Sequence, residues 1–138
     1  MQDSLKDPYL SYAKCYGRLY QELLKYGKLF IAFDFDNTIF DFHNEGFTFP
    51  KVISALKEAK KEGFKLILFT AEDNSEKLDE KVKYCEERGF KPDYVNENPE
   101  VLSTKKPYYN LLLDDRAGLD TALNLLRDII YDKQICKQ

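Results

Sequence analysis

Short uncharged runs alternate with amphipathic segments along most of this chain of 138 residues. Three of the runs are rich in Leu, Ile and Phe and predict buried strands; they are Leu29–Phe33, Leu66–Phe69 and Asn110–Leu113. Tyr94-Val95 predicts a weaker strand between the last two. Strands that alternate with helices are typical of parallel sheets with right-handed crossovers. We therefore predict an α/β fold with an open, three-layer parallel sheet that is trimmed at its edges.

The amphipathic segments between and after these strands predict three helices. Pro50 at the start and Gly63 after the end bracket the first helix, whose inner stripe is Val52, Ile53, Leu56 and Ala59. Asp73 and Glu76 form a predicted capping pair for the second helix, which ends near Gly89. The third helix follows the last strand, and its apolar stripe is Leu119, Ala122, Leu123, Leu126 and Ile130.

A tyrosine-rich segment, residues 4–26, precedes the first strand. Its tyrosines fall at helical spacing and are Tyr9, Tyr12, Tyr16 and Tyr20. Such a stripe could stack on bases or face a partner chain, but it is more often an amphipathic cover whose phenols reach the surface. We therefore expect a single domain, residues 1–138, with an N-terminal cover helix in 1–27 and a catalytic core in 28–130.

Charge and composition narrow the class of protein. The net charge of −3 gives no global attraction to nucleic acid or to an anionic membrane. No apolar run approaches the ~20 residues of a membrane span, and the polar start does not resemble a signal peptide, so we expect a cytoplasmic protein with no membrane partner. Cys15, Cys85 and Cys136 are far apart and share the chain with one histidine, which favours reduced thiols over a zinc site or disulfides.

Chemically reactive side chains follow the strong strands where each of them ends. Asp34 and Asp36 follow the first run, Thr70 follows the second, and Asp114 and Asp115 follow the third. The carboxyl ends of parallel strands meet at the ligand crevice of an open α/β sheet. Acidic side chains in one crevice repel each other unless a cation or a shared proton relieves them. Mg²⁺ together with a phosphoryl substrate would meet that need.

Groups that bind phosphate accompany these acids. The hydroxyl of Thr70 and the backbone N–H groups after it, beginning with Ala71, could bind a phosphate oxygen. Lys105 and Lys106 precede the last strand and offer positive charge. Each feature taken alone is more often a polar turn or a helix cap. Their joint occurrence directly after apolar strands favours a functional site.

The order of these motifs resembles that of the haloacid dehalogenase-like (HAD) phosphatases. The matching residues are Asp34-Phe35-Asp36-Asn37-Thr38, the strand-end Thr70, a lysine, and Leu111-Leu112-Leu113-Asp114-Asp115. The resemblance covers residues 28–126 and implies a Rossmann-like HAD core. The dehalogenase branch of the family lacks the second Asp of the first motif, so Asp36 favours phosphoryl chemistry.

The resemblance also implies a role for each acid. Asp34 would be the nucleophile that becomes an aspartyl-phosphate, and its carboxylate would also bind Mg²⁺. Asp36 would be the general acid and base, and its backbone carbonyl would bind Mg²⁺. Asp115 would be a direct Mg²⁺ ligand, with Asp114 supporting it or binding through water.

The catalytic lysine is less well defined. Lys106 matches the motif order and would act with Thr70 in catalysis and in binding the substrate. In many relatives a helix separates this lysine from the last acidic motif, whereas only residues 107–113 separate Lys106 from Asp114. Lys105 is therefore an alternative for the same role.

The gaps between the motifs are too short for the cap domain that many HAD enzymes insert, so we expect a capless enzyme. The loop Phe40–Phe49 predicts a small hairpin flap with its turn at 44–46. Its phenylalanines could pack on the sheet or line the entrance, and core packing is favoured. His43 is expected on the surface of this flap.

These observations predict a Mg²⁺-dependent phosphomonoester hydrolase whose substrate is a small molecule or a nucleic-acid end. Capless relatives commonly act on phosphorylated macromolecules, and some cover the site by forming homo-oligomers. Asp114-Asp115-Arg116 resembles the 3′-phosphatase domains of polynucleotide kinases, which favours a nucleotide or a nucleic-acid end. The alternatives are a small-metabolite phosphatase and a non-catalytic module that binds phosphate or metal.

Overall fold

The centre of the molecule is a sheet of four parallel strands in the order β3-β2-β1-β4. The computed structural model describes residues 6–100 and 105–136. The strands are β1 (Phe30–Phe33), β2 (Lys65–Leu68), β3 (Tyr94–Val95) and β4 (Leu111–Leu113). All four predicted strands are confirmed, with each boundary within one residue of its expected position.

Four helices flank this sheet. They are α1 (Tyr12–Tyr26), α2 (Pro50–Lys61), α3 (Ser75–Glu87) and α4 (Leu119–Cys136), and a short 3-10 turn, Pro8–Leu10, precedes α1. The chain therefore has the predicted three-layer, Rossmann-like α/β fold with an N-terminal helix. The connections β1–α2 and β2–α3 consist of loops throughout and contain no cap domain.

The register of the sheet brings three strand ends to one level. Phe33 of β1 lies opposite both Leu68 of β2 and Leu113 of β4. The pairing with β4 continues for one residue beyond the strand, because Asp34 N–H donates to the carbonyl of Leu113 at 2.9 Å. Asp34 and Asp114 are thereby neighbours at the carboxyl edge of the sheet.

The central strand is uncharged because it lies inside the core. Ile31, Ala32 and Phe33 of β1 are all fully buried, as is usual for the middle strand of a parallel sheet. The predicted inner stripe of α2 is buried except for Ile53, which is half-buried. In the stripe of α4, Ala122, Leu126 and Ile130 are buried as expected and Leu119 and Leu123 are half-buried, while Leu125 and Ile129 are buried in addition.

The N-terminal helix packs on α4, as the cover-helix interpretation expected. Tyr12 Oη donates a hydrogen bond to Asp128 and Tyr16 Oη donates one to Asp132, both on α4. Leu19 of α1 is buried in the same apolar cluster as the sheet. Helix α1 is therefore part of the core of the molecule.

The cap of α3 differs from the predicted pair. The N-cap is Asn74, whose side chain accepts a hydrogen bond from the N–H of Lys77 at 3.1 Å. The prediction that Asp73 and Glu76 cap the helix was thus wrong by one residue. Asn and Asp are nearly equal as N-cap residues, so a sequence with both side by side does not decide which one is used.

The predicted hairpin flap was also wrong. The loop Phe40–Phe49 contains no strand within residues 41–49. The carboxylate of Asp41 instead accepts hydrogen bonds from the N–H groups of Glu45, Gly46 and Phe47. One side chain thus satisfies three backbone donors of the loop, and the loop folds around it.

Two further expectations concern the cysteines and the membrane. Cys15, Cys85 and Cys136 are free thiols, as expected. Among the described helices, none has the length and apolar character needed to cross a bilayer.

The packing of α1 can be tested with two leucines on the same helix. Leu19 is 3% exposed and Leu24 is 62% exposed. We expect Leu19→Ala to lower the free energy of unfolding by about 2–4 kcal/mol, because it leaves a cavity in the core. Leu24→Ala is the matched control and should change it by less than about 0.5 kcal/mol. Urea unfolding measures both, and equal effects would contradict the packing of α1 as part of the core.

Candidate active site

Three carboxylates meet at the carboxyl edge of the sheet, between β1 and β4. Asp34, Asp114 and Asp115 each offer an oxygen, and these oxygens lie within 4.8 Å of one another. Asp34 and Asp114 are half-buried, whereas Asp115 is exposed. Below, we refer to these three residues as the acidic cluster. The structure thus joins the first and the last of the motifs found in the sequence.

The hydroxyl of Thr38 connects the two halves of the acidic cluster. Thr38 is fully buried, and its Oγ1 accepts a hydrogen bond from the N–H of Asp115 at 3.1 Å. The same atom lies 3.4 Å from Asp34 Oδ2 and 3.4 Å from Asp115 Oδ1, either of which can accept its proton. Thr38 was identified as part of the first motif but was given no role, and the structure shows that it positions the acids.

A tight turn after β1 separates Asp36 from Asp34. Asn37 has a left-handed backbone, with φ of 61°, and its N–H donates to the carbonyl of Phe40 at 2.7 Å. On a continuing strand Asp34 and Asp36 would point the same way. The turn instead leaves Asp36 outside the acidic cluster and places it in the wall of an adjacent cavity. The predicted contact of its backbone carbonyl with Mg²⁺ stays a prediction.

The surroundings of Asp34 disfavour its charged form. The pKa of Asp34 is raised to about 6, mainly by burial and also by the nearby charges of Asp114 and Asp115, while a hydrogen bond from the Phe35 N–H acts in the opposite direction. A divalent cation between the three carboxylates would reverse this effect. Carboxylate and carbonyl oxygens are the ligands that Mg²⁺ prefers in proteins, so the donor set fits that ion.

Asp114 and Asp115 differ in their local contacts. Oδ1 of Asp114 accepts a hydrogen bond from the N–H of Arg116 at 2.9 Å, and its backbone carbonyl accepts one from Ala117. One carboxylate oxygen of Asp114 is therefore engaged in the turn after β4. This arrangement agrees with a supporting role for Asp114 beside a direct ligand at Asp115, which stays a prediction.

The strand-end Thr70 is held by two residues that were not predicted. Its N–H donates to Asn96 Oδ1 at 2.8 Å, and its Oγ1 accepts a hydrogen bond from Lys81 Nζ at 3.0 Å. Asn96 Nδ2 also donates to the carbonyl of Glu72, so Asn96 holds the loop that contains Ala71. This loop lies at the same edge of the sheet as the acidic cluster.

The sequence contained a signal for one of these two residues. Asn96 directly follows the weak strand β3 and is therefore a further polar residue at a strand end, comparable to Thr70. Lys81 could not be distinguished in the same way, because it lies on the Lys- and Glu-rich helix α3, where charged side chains usually only face solvent. Lys81 becomes a candidate site residue only through its contact with Thr70, and the spacing of residues in the sequence does not indicate that contact.

The two predicted lysines lie on an exposed segment before β4. Lys105 and Lys106 are both exposed, and the carbonyl of Lys106 accepts a hydrogen bond from Asn98 Nδ2 at 2.8 Å. Asn98 Oδ1 also accepts one from the N–H of Tyr108 at 2.9 Å. Asn98 thus holds the backbone of this segment at Lys106 and at Tyr108. The catalytic role of Lys106, with Lys105 as its alternative, stays a prediction, and Lys81 is a further candidate.

One of three comparisons with known proteins finds a similar fold. No family model matches this chain, and a search of curated proteins finds no match. Among solved structures, a conserved protein from Bacteroides thetaiotaomicron is similar, with 29% sequence identity and a TM-score of 0.61. The similarity covers 77% of this chain and 92% of that protein. It supports the α/β architecture and carries no information on activity.

The pH dependence of stability tests the environment of Asp34. The folded protein holds the Asp34 proton up to about pH 6, whereas the ordinary pKa of the group is 3.8. The folded state binds the extra proton between these values, so the metal-free protein loses stability as the pH rises through this interval. Asp34→Asn should therefore stabilise the metal-free protein near pH 7 by about 1–2 kcal/mol, with little effect near pH 4.

Urea unfolding at the two pH values, with a chelator present, measures this difference. Asp79→Asn is the matched control, because Asp79 is exposed on α3 and outside the acidic cluster. A stabilisation by Asp34→Asn that is the same at both pH values would contradict the raised pKa of Asp34.

Proposed function

We propose that this protein is a Mg²⁺-dependent phosphomonoester hydrolase of the HAD type that acts through an aspartyl-phosphate on Asp34. The observation that carries the proposal is the meeting of Asp34, Asp114 and Asp115 within 4.8 Å, with Thr38 bonded between them. Thr70 and its lysine contact lie at the neighbouring strand end. The arrangement supplies a nucleophile, a cation site and a group for binding phosphate at one edge of the sheet.

The proposal explains why so many acids are needed. A carboxylate is a weak nucleophile toward a phosphate dianion, because the two negative charges repel each other. Mg²⁺ would be held by the carboxylates of Asp34, Asp114 and Asp115 and by the backbone carbonyl of Asp36. Bound there, it supplies the positive charge that reduces this repulsion.

In the first step, an Oδ of Asp34 attacks the phosphorus atom of the substrate. The new bond joins that oxygen to phosphorus, and the bond from phosphorus to the ester oxygen breaks. Asp36 donates a proton to the departing oxygen, so that an alcohol or a phenol leaves. Thr70 Oγ1 and the N–H groups of the loop at 70–72 bind a non-bridging oxygen of the phosphoryl group.

In the second step, the carboxylate of Asp36 takes a proton from a water molecule. That water attacks the phosphorus atom, and the bond between phosphorus and the Asp34 oxygen breaks. Inorganic phosphate leaves, and both acids return to their starting states. Because one group acts first as acid and then as base, Asp36 needs its own space beside the acidic cluster, and the turn at Asn37 provides it.

The open site fits the capless interpretation. Asp115 is exposed, and a single loop, 34–49, lies between the first motif and α2. The substrate, either a nucleotide or nucleic-acid end or a small metabolite, remains a prediction from the sequence. A homo-oligomer that covers the site also remains one. The cytoplasmic localisation also stays a prediction.

Hydrolysis of a generic aryl phosphate tests the proposal. We expect Mg²⁺-dependent turnover by the unaltered protein and a loss of at least about a thousandfold in kcat for Asp34→Asn, since the nucleophile is removed. Asp79→Asn is the matched control and should retain the activity. Full activity of Asp34→Asn, or activity that does not need a divalent ion, would contradict the proposal. A folded protein without any turnover would favour the non-catalytic module.

Three lysines can be compared in the same assay. We expect Lys106→Met to lower kcat/KM by about a hundredfold, because a charge that contacts the phosphoryl group is lost. Lys81→Met should lower it by about tenfold, because Lys81 acts through the hydroxyl of Thr70. Lys83→Met, on the exposed face of α3, is the control and should have no effect. A larger loss for Lys81→Met than for Lys106→Met would exchange these two roles.

A further inference from the structure

A cavity of about 330 Å³ adjoins the candidate active site on the side of Asp36. Its walls combine Asp36 with aromatic side chains from the first motif, the following loop and α3, namely Phe35, Phe40, Phe42 and Tyr84. Lysines and glutamates complete the rim. The volume lies at the lower end of the range for small-molecule sites, about 300–1,000 Å³.

The aromatic side chains form one packed group. The rings of Phe35, Phe40 and Tyr84 lie 5.1–5.3 Å from one another. Tyr84 Oη donates to the carbonyl of Ile39 at 3.0 Å, which holds the ring of Tyr84 against the turn that follows Asp36. The floor of the cavity is therefore fixed by the same turn that directs Asp36 away from the acidic cluster.

Phe42 adds an aromatic ring at the mouth of this cavity. Its side chain is 58% exposed, an unusual degree of exposure for phenylalanine. The exposed ring of Phe42 lies beside the packed aromatic group of the cavity. It can contact the aromatic ring of a ligand, because aromatic rings favour offset and edge-to-face contacts. Phe47, on the same loop, is equally exposed but does not line the cavity.

From these contacts we propose that the cavity is a leaving-group subsite for an aromatic ring, so that the substrates are aryl phosphomonoesters. This inference rests on the proposed function, in which Asp36 protonates the departing oxygen. The leaving group must then lie in the space that Asp36 lines, and that space is this cavity. The phosphoryl group moves to Asp34, and the ring leaves as a phenol with the proton from Asp36.

The charges around the cavity argue against a second phosphate in it. Lys77 and Lys81 are balanced by Glu72 and Glu80, and Asp36 adds a further acid. A polynucleotide would bring additional phosphates and needs a positively charged groove to bind them. An uncharged ring attached directly to the ester oxygen fits the aromatic side of this lining.

Binding of two phosphonates, measured by calorimetry with Mg²⁺ present, tests the inference. Phenylphosphonate carries the ring and methylphosphonate does not, and neither is hydrolysed. We expect phenylphosphonate to bind about tenfold more tightly, and Phe42→Ala to reduce this preference to about threefold. Phe47→Ala is the matched control and should keep the full preference. Equal binding of the two ligands, or an equal loss in both variants, would overturn the inference.

Measuring turnover beside binding distinguishes a failure of this inference from a failure of the proposed function. Asp34-dependent hydrolysis without any preference for phenylphosphonate in binding would overturn the aromatic subsite and leave the phosphatase. A Phe42-dependent preference for phenylphosphonate without hydrolysis of phenyl phosphate would overturn the phosphatase and leave the subsite. A nucleoside monophosphate that binds more tightly than phenylphosphonate would overturn the aryl assignment in favour of a nucleotide.

Discussion

The pairing of β1 with β4 determines where the three carboxylates of the acidic cluster meet. Phe33 lies opposite Leu113, and the hydrogen bond from Asp34 N–H to the Leu113 carbonyl extends the pairing past the strand. The acids that follow each strand are thereby forced into proximity, although their charges repel. Burial is the main cause of the raised pKa of Asp34, and the nearby charges of Asp114 and Asp115 contribute to it. Because the core requires these strands to pair, the carboxylates at their ends require a proton or a cation that reduces their repulsion.

Thr38 and the turn around it determine how the acidic side chains are positioned relative to one another. The buried hydroxyl of Thr38 links the backbone of Asp115 with the side chain of Asp34 and thereby connects the first motif with the last. In the tight turn that contains the left-handed Asn37, Asp36 lies in a different space. One short motif therefore supplies two acids with different surroundings. In the proposed reaction this separation corresponds to the separation between the attacking group and the group that moves the proton.

Much of the fold and part of the site could be predicted from the sequence, and the reasons are physical. The strands were predictable because β1, β4 and all of β2 after Lys65 are short uncharged runs whose burial demands apolar side chains. The meeting of Asp34 with Asp114 followed from parallel pairing. Features that depend on side-chain hydrogen bonds were not predictable, because no periodicity encodes them. Asp41, which organises the loop that was expected to be a hairpin, is one example, and the contact of Lys81 with Thr70 is another.

The central claim is that Asp34 is positioned to accept a phosphoryl group while a divalent cation occupies the acidic cluster. Beryllofluoride mimics a phosphoryl group on a carboxylate, so its binding can be followed by fluorine NMR without any knowledge of the substrate. We predict a bound fluorine signal that requires Mg²⁺, is retained in Asp79→Asn and is absent in Asp34→Asn. A bound signal of equal intensity in Asp34→Asn, or no bound signal in the unaltered protein with Mg²⁺ present, would contradict this account.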